Sequence, residues 1–302
     1  NRTRSKDLLS MAGDLLSETD DEKTMADLLN EEGNLLMDLK ETERSIELHT
    51  ESLHLREKIS DELGVAKSLN NLGILQKRLG EYDEAKKLYN RALEIFNELD
   101  DQRGKVFTAN NLGTLESARG NLELAEEYHL ASLKILRRMK HRKGIATSLN
   151  NLGIIHRSRG ELAEAKERFR ESYAIRRDLN LERDQLGSIG NLSNLARRTM
   201  DLDEAEKFHR KGLDISTRIS SKEEEVKHSF YLGAITLHNG QYSEAQEFFR
   251  AYVRKSLELN PEGGLSEFCL LHGYTDPDEE WEFPPSKLSG RDTLSLIQKD
   301  VV

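Results

Sequence analysis

Apolar residues recur along this chain at helical spacing, in blocks separated by short polar breaks. In the block that opens at Gly64, Val65, Leu69, Leu72 and Leu79 fall on one side of a helix. Gly80-Glu81-Tyr82 interrupts the pattern. Ala85, Leu88, Tyr89, Ala92, Leu93 and Phe96 then mark the inner face of a second helix, and Asp100–Gly104 is a polar turn. The spacing predicts helices over Val65–Leu79 and Asp83–Leu99.

This two-helix block is copied. Asn-Asn-Leu-Gly stands at Asn70–Gly73, Asn110–Gly113 and Asn150–Gly153, forty residues apart each time. The slot decays to Gly190–Ser193, Phe230–Gly233 and Asn30–Gly33. The breaker glycine returns at Gly120, Gly160 and Gly240, with Met200-Asp201 in its place once. Ala85 returns as Ala125, Ala165, Ala205 and Ala245. A fixed period of this length means a supersecondary unit stacked in tandem, each copy burying its apolar face on the next. The expected division is six units at 24–63, 64–103, 104–143, 144–183, 184–223 and 224–263, an all-α array. Residues 1–23 are expected to hold the second helix of a truncated unit. Residues 264–275 match the start of a seventh first helix, since Leu265, Cys269 and Gly273 repeat Val65, Leu69 and Gly73. Asp276-Pro277 ends it, leaving 276–302 as an acidic tail in which Thr293–Lys299 reads as a short helix. A glycine on each first helix is expected to face the alanine of the second, where backbones approach closely.

Composition narrows the functions. The net charge of −10 argues against nonspecific binding to nucleic acid or to acidic membrane. A single cysteine, Cys269, cannot form an internal disulfide, which favours a reducing compartment, the cytoplasm. No apolar run approaches eighteen residues. The chain opens on Asn1 rather than Met and the repeat runs on past both ends, so a piece of a longer protein is expected.

Leu72-Gly73, Gly80, Ala85, Tyr89 and Ala92, with their forty-residue echoes over roughly residues 5–275, resemble tetratricopeptide repeats. The resemblance implies a right-handed α-solenoid of helix–turn–helix units whose first helices line a concave groove. There are departures: the family's usual repeat has thirty-four residues and a closing proline. Gln76, Glu116 and His156 fill a slot usually held by tyrosine, and Glu116 reads as part of a solvated seam. The forty-residue form is similar to the arrays of spindle-orientation adapters and kinesin light chains. It also resembles sensor arrays of bacterial signalling ATPases and peptide-pheromone receptors. Those relatives share peptide or protein binding, not catalysis.

Placed on a helical wheel, the first helix puts Leu69, Leu72, Gly73, Gln76 and Leu79 on one side and Lys67, Asn70, Asn71, Ile74, Lys77 and Arg78 on the other. With the resemblance, the second set faces the groove. Read through the array it gives an amide ladder of Asn70, Asn71, Asn110, Asn111, Asn150, Asn151, Asn191 and Asn194. An amide offers both donor and acceptor, so a ladder can pair with the backbone of an extended peptide; the competing reading is that these residues only bridge helices. Basic residues gather on the first helices too, at Lys67, Lys77, Arg78, Lys105, Arg119, Arg157, Arg159, Arg197 and Arg198, with Glu116 the one acid among them. That favours an acidic partner, unless the charges merely balance neighbouring acidic helices. Thr275–Pro285, with five acids and two aromatics, is either a linker or cap, or a pseudo-ligand for the groove.

Chemistry of other kinds is missing. Glycines sit singly at helix ends rather than in a phosphate-cradling loop, and nine histidines are scattered without ligand spacing. Cys269 falls on a core slot. No catalytic residue, metal site or cofactor is expected. The leading expectation is a non-enzymatic interaction module that takes an extended, acidic peptide segment in its groove. The competing one is a ligand-sensing regulatory domain of a larger signalling ATPase or protease.

Overall fold

The computed structural model describes residues 21–260 and 290–298, and they are helical throughout, with no strand among them. First helices are α1 (Glu22–Leu39), α3 (Glu62–Leu79), α5 (Gln102–Ala118), α7 (Arg142–Ser158), α9 (Glu182–Arg198) and α11 (Lys222–His238). Second helices are α2 (Thr42–Lys58), α4 (Tyr82–Glu98), α6 (Leu122–Arg138), α8 (Leu162–Asp178), α10 (Leu202–Arg218) and α12 (Tyr242–Leu259); α13 (Gly290–Gln298) follows. Helix starts recur every forty residues. The expected helix in residues 5–18, the seventh first helix at 264–275, Cys269 and the segment 275–285 lie outside the described residues.

Local chemistry sets the ends. The carboxylates of Asp21, Asp61, Asp101 and Asp201 accept backbone N–H groups in the first turns of α1, α3, α5 and α10. α3 therefore begins at Glu62, three residues before the apolar pattern starts. At its other end Gly80 has φ 84°, and Glu81 N donates to Gln76 O at 2.9 Å, closing a left-handed cap. Nothing lies within 4 Å of a Cβ placed on Gly80, so backbone conformation alone favours glycine there.

The chain forms two compact units, Asn1–Ile155 and His156–Val302. In the first, Leu53, Val65, Leu69, Leu72, Ala92 and Phe96 form a shared apolar cluster across α2, α3 and α4. Burying a side chain as large as Phe96 contributes about 1.5–3 kcal/mol. The side chain nearest Gly73 is Tyr89, not the expected Ala85. A Cβ at Gly73 would meet the Tyr89 ring at 2.5 Å, and Gly33 and Gly113 meet His49 and His129 in the same way. The glycine is required by the ring sixteen residues on. Ala85 instead packs with Leu112 and Leu115 of the next first helix. Leu79, placed on the core side by the wheel, is 51% exposed on the last turn of α3. Glu116 is fully buried rather than solvated: Lys86 Nζ lies 2.8 Å from one carboxylate oxygen and Asn121 Nδ2 donates to the other at 2.7 Å. Burial opposes its ionisation, but these donors and the Lys86 and Arg119 charges hold its carboxyl below the usual range.

In the second unit Phe230, Tyr231, Ile235, Phe249, Tyr252 and Val253 form the main apolar cluster, joined by Leu296 and Ile297 of α13. Every residue of α11 from His228 to Leu237 is buried. The reason is that α11 has neighbours on three sides: α10, α12 and α13.

Candidate functional site

In the first unit α3 touches α1 and α5 directly, besides its second-helix neighbours. These contacts leave an open hollow of 480 Å³ between the three first helices. Asn71 stands at its wall. Its Nδ2 donates to Asn30 Oδ1 at 3.0 Å and to Asn34 Oδ1 at 3.1 Å, so its own Oδ1 remains as an acceptor. Half-buried Asn111 occupies the same slot on α5 but does not line this hollow, and its Nδ2 is buried without a hydrogen-bond partner. Lys67, Arg103 and Phe107 complete the rim; Phe107 is 48% exposed, an apolar surface beside the amides.

The companion asparagines go elsewhere. Asn70 is 1% exposed and donates to Thr108 Oγ1 at 2.8 Å, which seals it between α3 and α5. Asn110 Oδ1 pairs with His129 Nδ1 at 3.1 Å, tying α5 to α6. Burial pushes the His129 pKa down to about 4, so the ring is neutral and donates from Nδ1. The ladder therefore splits: Asn70 and Asn110 join helices, Asn71 presents its amide at the hollow, and Asn111 does not line it. Asn150 and Asn151 are half-buried on α7.

The basic residues are also redistributed. Lys67 is exposed, and Lys77 is half-buried with its pKa lowered by burial and by Arg78. Arg78 Nη1 donates to Met37 O at 2.9 Å, satisfying a carbonyl at the C-terminus of α1. Lys105 pairs with Asp100 and Arg119 with Asp83, both at 2.7 Å, and Arg159 lies 4.0 Å from Glu161. Second-helix and turn acids thus offset much of the basic character assigned to the groove.

In the second unit Arg157 Nη1 donates to Asn191 Oδ1 at 3.3 Å. Asn194 is half-buried and Arg198 exposed. A smaller hollow of 300 Å³ is bordered by Gly187, Gly190, Asn191, Asn194, Arg197 and Tyr231. Arg197, expected to face a guest, is only 3% exposed. Its guanidinium lies 3.6 Å from the centre of the Tyr231 ring, and Nη1 donates to Ile297 O of α13 at 2.5 Å. The residues missed by sequence reasoning are Asn30, Asn34 and the α13 side chains. Asn34 aligns with Ile74 rather than with an asparagine, so the period could not reveal it.

A family model for the tetratricopeptide repeat matches residues 24–98 and 106–178. The fold is a tetratricopeptide-repeat array. Solved structures agree. BtubC (BKLC) from P. vanneervenii is 21% identical over 75% of this chain and 95% of its own, with a TM-score of 0.66. A Rap protein complexed with Competence and Sporulation Factor is 15% identical over 80% and 82%, at 0.59. A signal transduction ATPase with numerous domains from Pyrococcus horikoshii, which carries a tetratricopeptide repeat sensor, is 15% identical. That match covers 83% of this chain and 38% of the other, at 0.72. Identities this low establish the fold alone. No curated protein matches the sequence.

Tetratricopeptide-repeat domains are generally interaction modules, and no enzyme family is matched. Among the described residues no group of three or more His, Cys, Asp or Glu is placed to hold a metal. None of the described helices is long and apolar enough to cross a membrane.

Proposed function

We propose that this array binds an extended peptide segment of a partner protein in the cytoplasm, in the hollow between α1, α3 and α5. The observation that carries the reading is Asn71: its amide is fixed by Asn30 and Asn34 with Oδ1 left over beside an open cavity. Fixing a recognition group in advance lowers the cost of binding. Asn71 Oδ1 can accept an N–H from the backbone of an extended guest. Each such bond contributes about 0.5–1.5 kcal/mol. Phe107 offers a face to one apolar side chain, and Lys67 with Arg103 favours an acidic residue on the guest. The Rap protein that was crystallised with Competence and Sporulation Factor supports a peptide as the class of guest for this fold.

Selection of a random twelve-residue peptide display library against the chain tests the proposal. Enriched peptides should bind the Asn71→Ala variant about five-fold more weakly, the loss of one hydrogen bond. They should also lose affinity for Lys67→Glu/Arg103→Glu. Equal affinity for parent and both variants refutes the site.

A further inference from the structure

The second unit carries a site of another kind. α13 lies on α9 and α11, two first helices, so it covers the face that the corresponding helices of the first unit leave open. Its contacts are both apolar and polar. Ile297 is fully buried and Leu296 is 9% exposed, both inside the cluster of Phe230, Tyr231 and Ile235. One turn earlier, Thr293 Oγ1 pairs with His238 Nδ1 at 3.0 Å. At the end of the helix, Arg197 takes the Ile297 carbonyl. That carbonyl belongs to the last turn, where backbone acceptors have no intrahelical partner and a cation is favoured.

We infer that the α9–α11 face is a docking site for a short amphipathic helix, which α13 fills in cis and a partner helix of like chemistry takes over. The chemistry is stated by the contacts: a hydroxyl residue, an aliphatic residue four positions later, and a helix C-terminus directed at Arg197. Arg197 Nη1 reads a main-chain carbonyl, which any helix ending there supplies. The stacked Arg197–Tyr231 pair is an Arg–aromatic anchor of the sort that dominates interface energetics. Nine residues are too few for a helix to persist unaided in water, so α13 keeps its shape only while docked. An occupant that must pay for its own ordering is open to competition from a longer helix. This inference concerns the second unit and stands whether or not the first unit takes a peptide.

The test uses a fluorescein-labelled synthetic peptide of residues 288–302 and fluorescence anisotropy. Three receptors are compared: the full chain, the full chain with Ile297→Asp, and a chain ending at residue 287. Expected is binding to the second and third at least ten-fold tighter than to the first. Arg197→Gln, introduced into the open receptors, should weaken binding at least five-fold, and a peptide carrying Ile297→Asp should not bind. Equal binding to all three receptors, or none to an open receptor that circular dichroism shows to be folded, overturns the inference. If the shortened chain fails to fold, the Ile297→Asp receptor decides alone. A dimer of the full chain in light scattering, lost with Ile297→Asp, also overturns it, since the occupant would then be a second copy.

Discussion

Asn71 and Tyr231 fill the same slot of the period, four repeats apart, as do Lys77 and Arg197, three apart. In the first unit the slots hold a half-buried amide at a hollow of 480 Å³ and, further along the same helix, a half-buried lysine. In the second they hold a ring 2% exposed and a guanidinium 3% exposed, both under α13. One backbone unit thus supports two kinds of inner face. What differs is the side chain placed in each slot: amides keep the face wet and open, whereas an aromatic–arginine pair invites an apolar cover. An open polar face suits an extended chain that needs backbone partners, and a covered apolar face suits a helix.

The sharpest contrast comes from two first-helix glycines in different slots of the period. Gly73→Val drives its side chain into Tyr89, and a loss of about 3 kcal/mol is expected in urea unfolding. Gly190, bordering the hollow of the second unit, meets nothing nearer than Lys227 Nζ at 3.5 Å. Gly190→Ala should therefore be neutral or stabilise by up to about 1 kcal/mol, since alanine is the better helix former. A large loss at Gly190 would mean that its surroundings are packed as tightly as those of Gly73.

Ile297→Asp comes next, at about 2–3 kcal/mol for the lost burial. Amide hydrogen exchange should rise in α9 and α11 and stay unchanged in α1 to α6. A rise in both units would remove the distinction between a covered and an open face.

Acid should act through buried histidines: His49 and His129 in the ring slot facing the first-helix glycine, and His228 on α11. Burial lowers His49 to about 4 and His129 to about 4, and burial lowers His228 on α11 to about 3. Each ring is neutral when folded, but the unfolded chain takes up a proton near pH 6.5. Stability is therefore complete above that pH, falls as pH drops toward 4, and levels off below. Phe249 fills in the second unit the slot that His49 fills in the first. Neither ring nitrogen of His49 has a hydrogen-bond partner, so His49→Phe should fit and remove one share of the loss. At pH 5 that share is about 2 kcal/mol. A melting temperature as acid-sensitive as the parent's would show that His49 is not held neutral.

The smallest effect belongs to Asn111, which fills the slot of Asn71 one repeat on. Asn111→Ala should change stability by less than about 1 kcal/mol, because no bond to Nδ2 is lost. A loss beyond 2 kcal/mol would make Asn111 a structural residue like Asn70.

Much of this was legible in the sequence. The period placed every described first and second helix, because turn glycines and apolar spacing are local signals. Helix starts slipped by one to three residues where a polar residue such as Asp61 caps the helix ahead of its apolar pattern. The functional face was read less well, for a physical reason. A helical wheel treats a helix as having one buried side, yet α3 also touches α1 and α5, and that extra contact swallowed Asn70. Glu116 was misjudged similarly, since Lys86, its partner, comes from another helix. Arg197 gave no local sign at all: its cover is Ile297, one hundred residues away. The short helix of the tail could be seen in the sequence, but its resting place could not.

The most direct measurement is hydrogen exchange of the full chain with and without a saturating display-selected peptide. Protection concentrated in α3 and α5, with α9 and α11 unchanged, is the expected result. Protection confined to α9 and α11, or spread over the second helices with none in α3 and α5, would contradict the account.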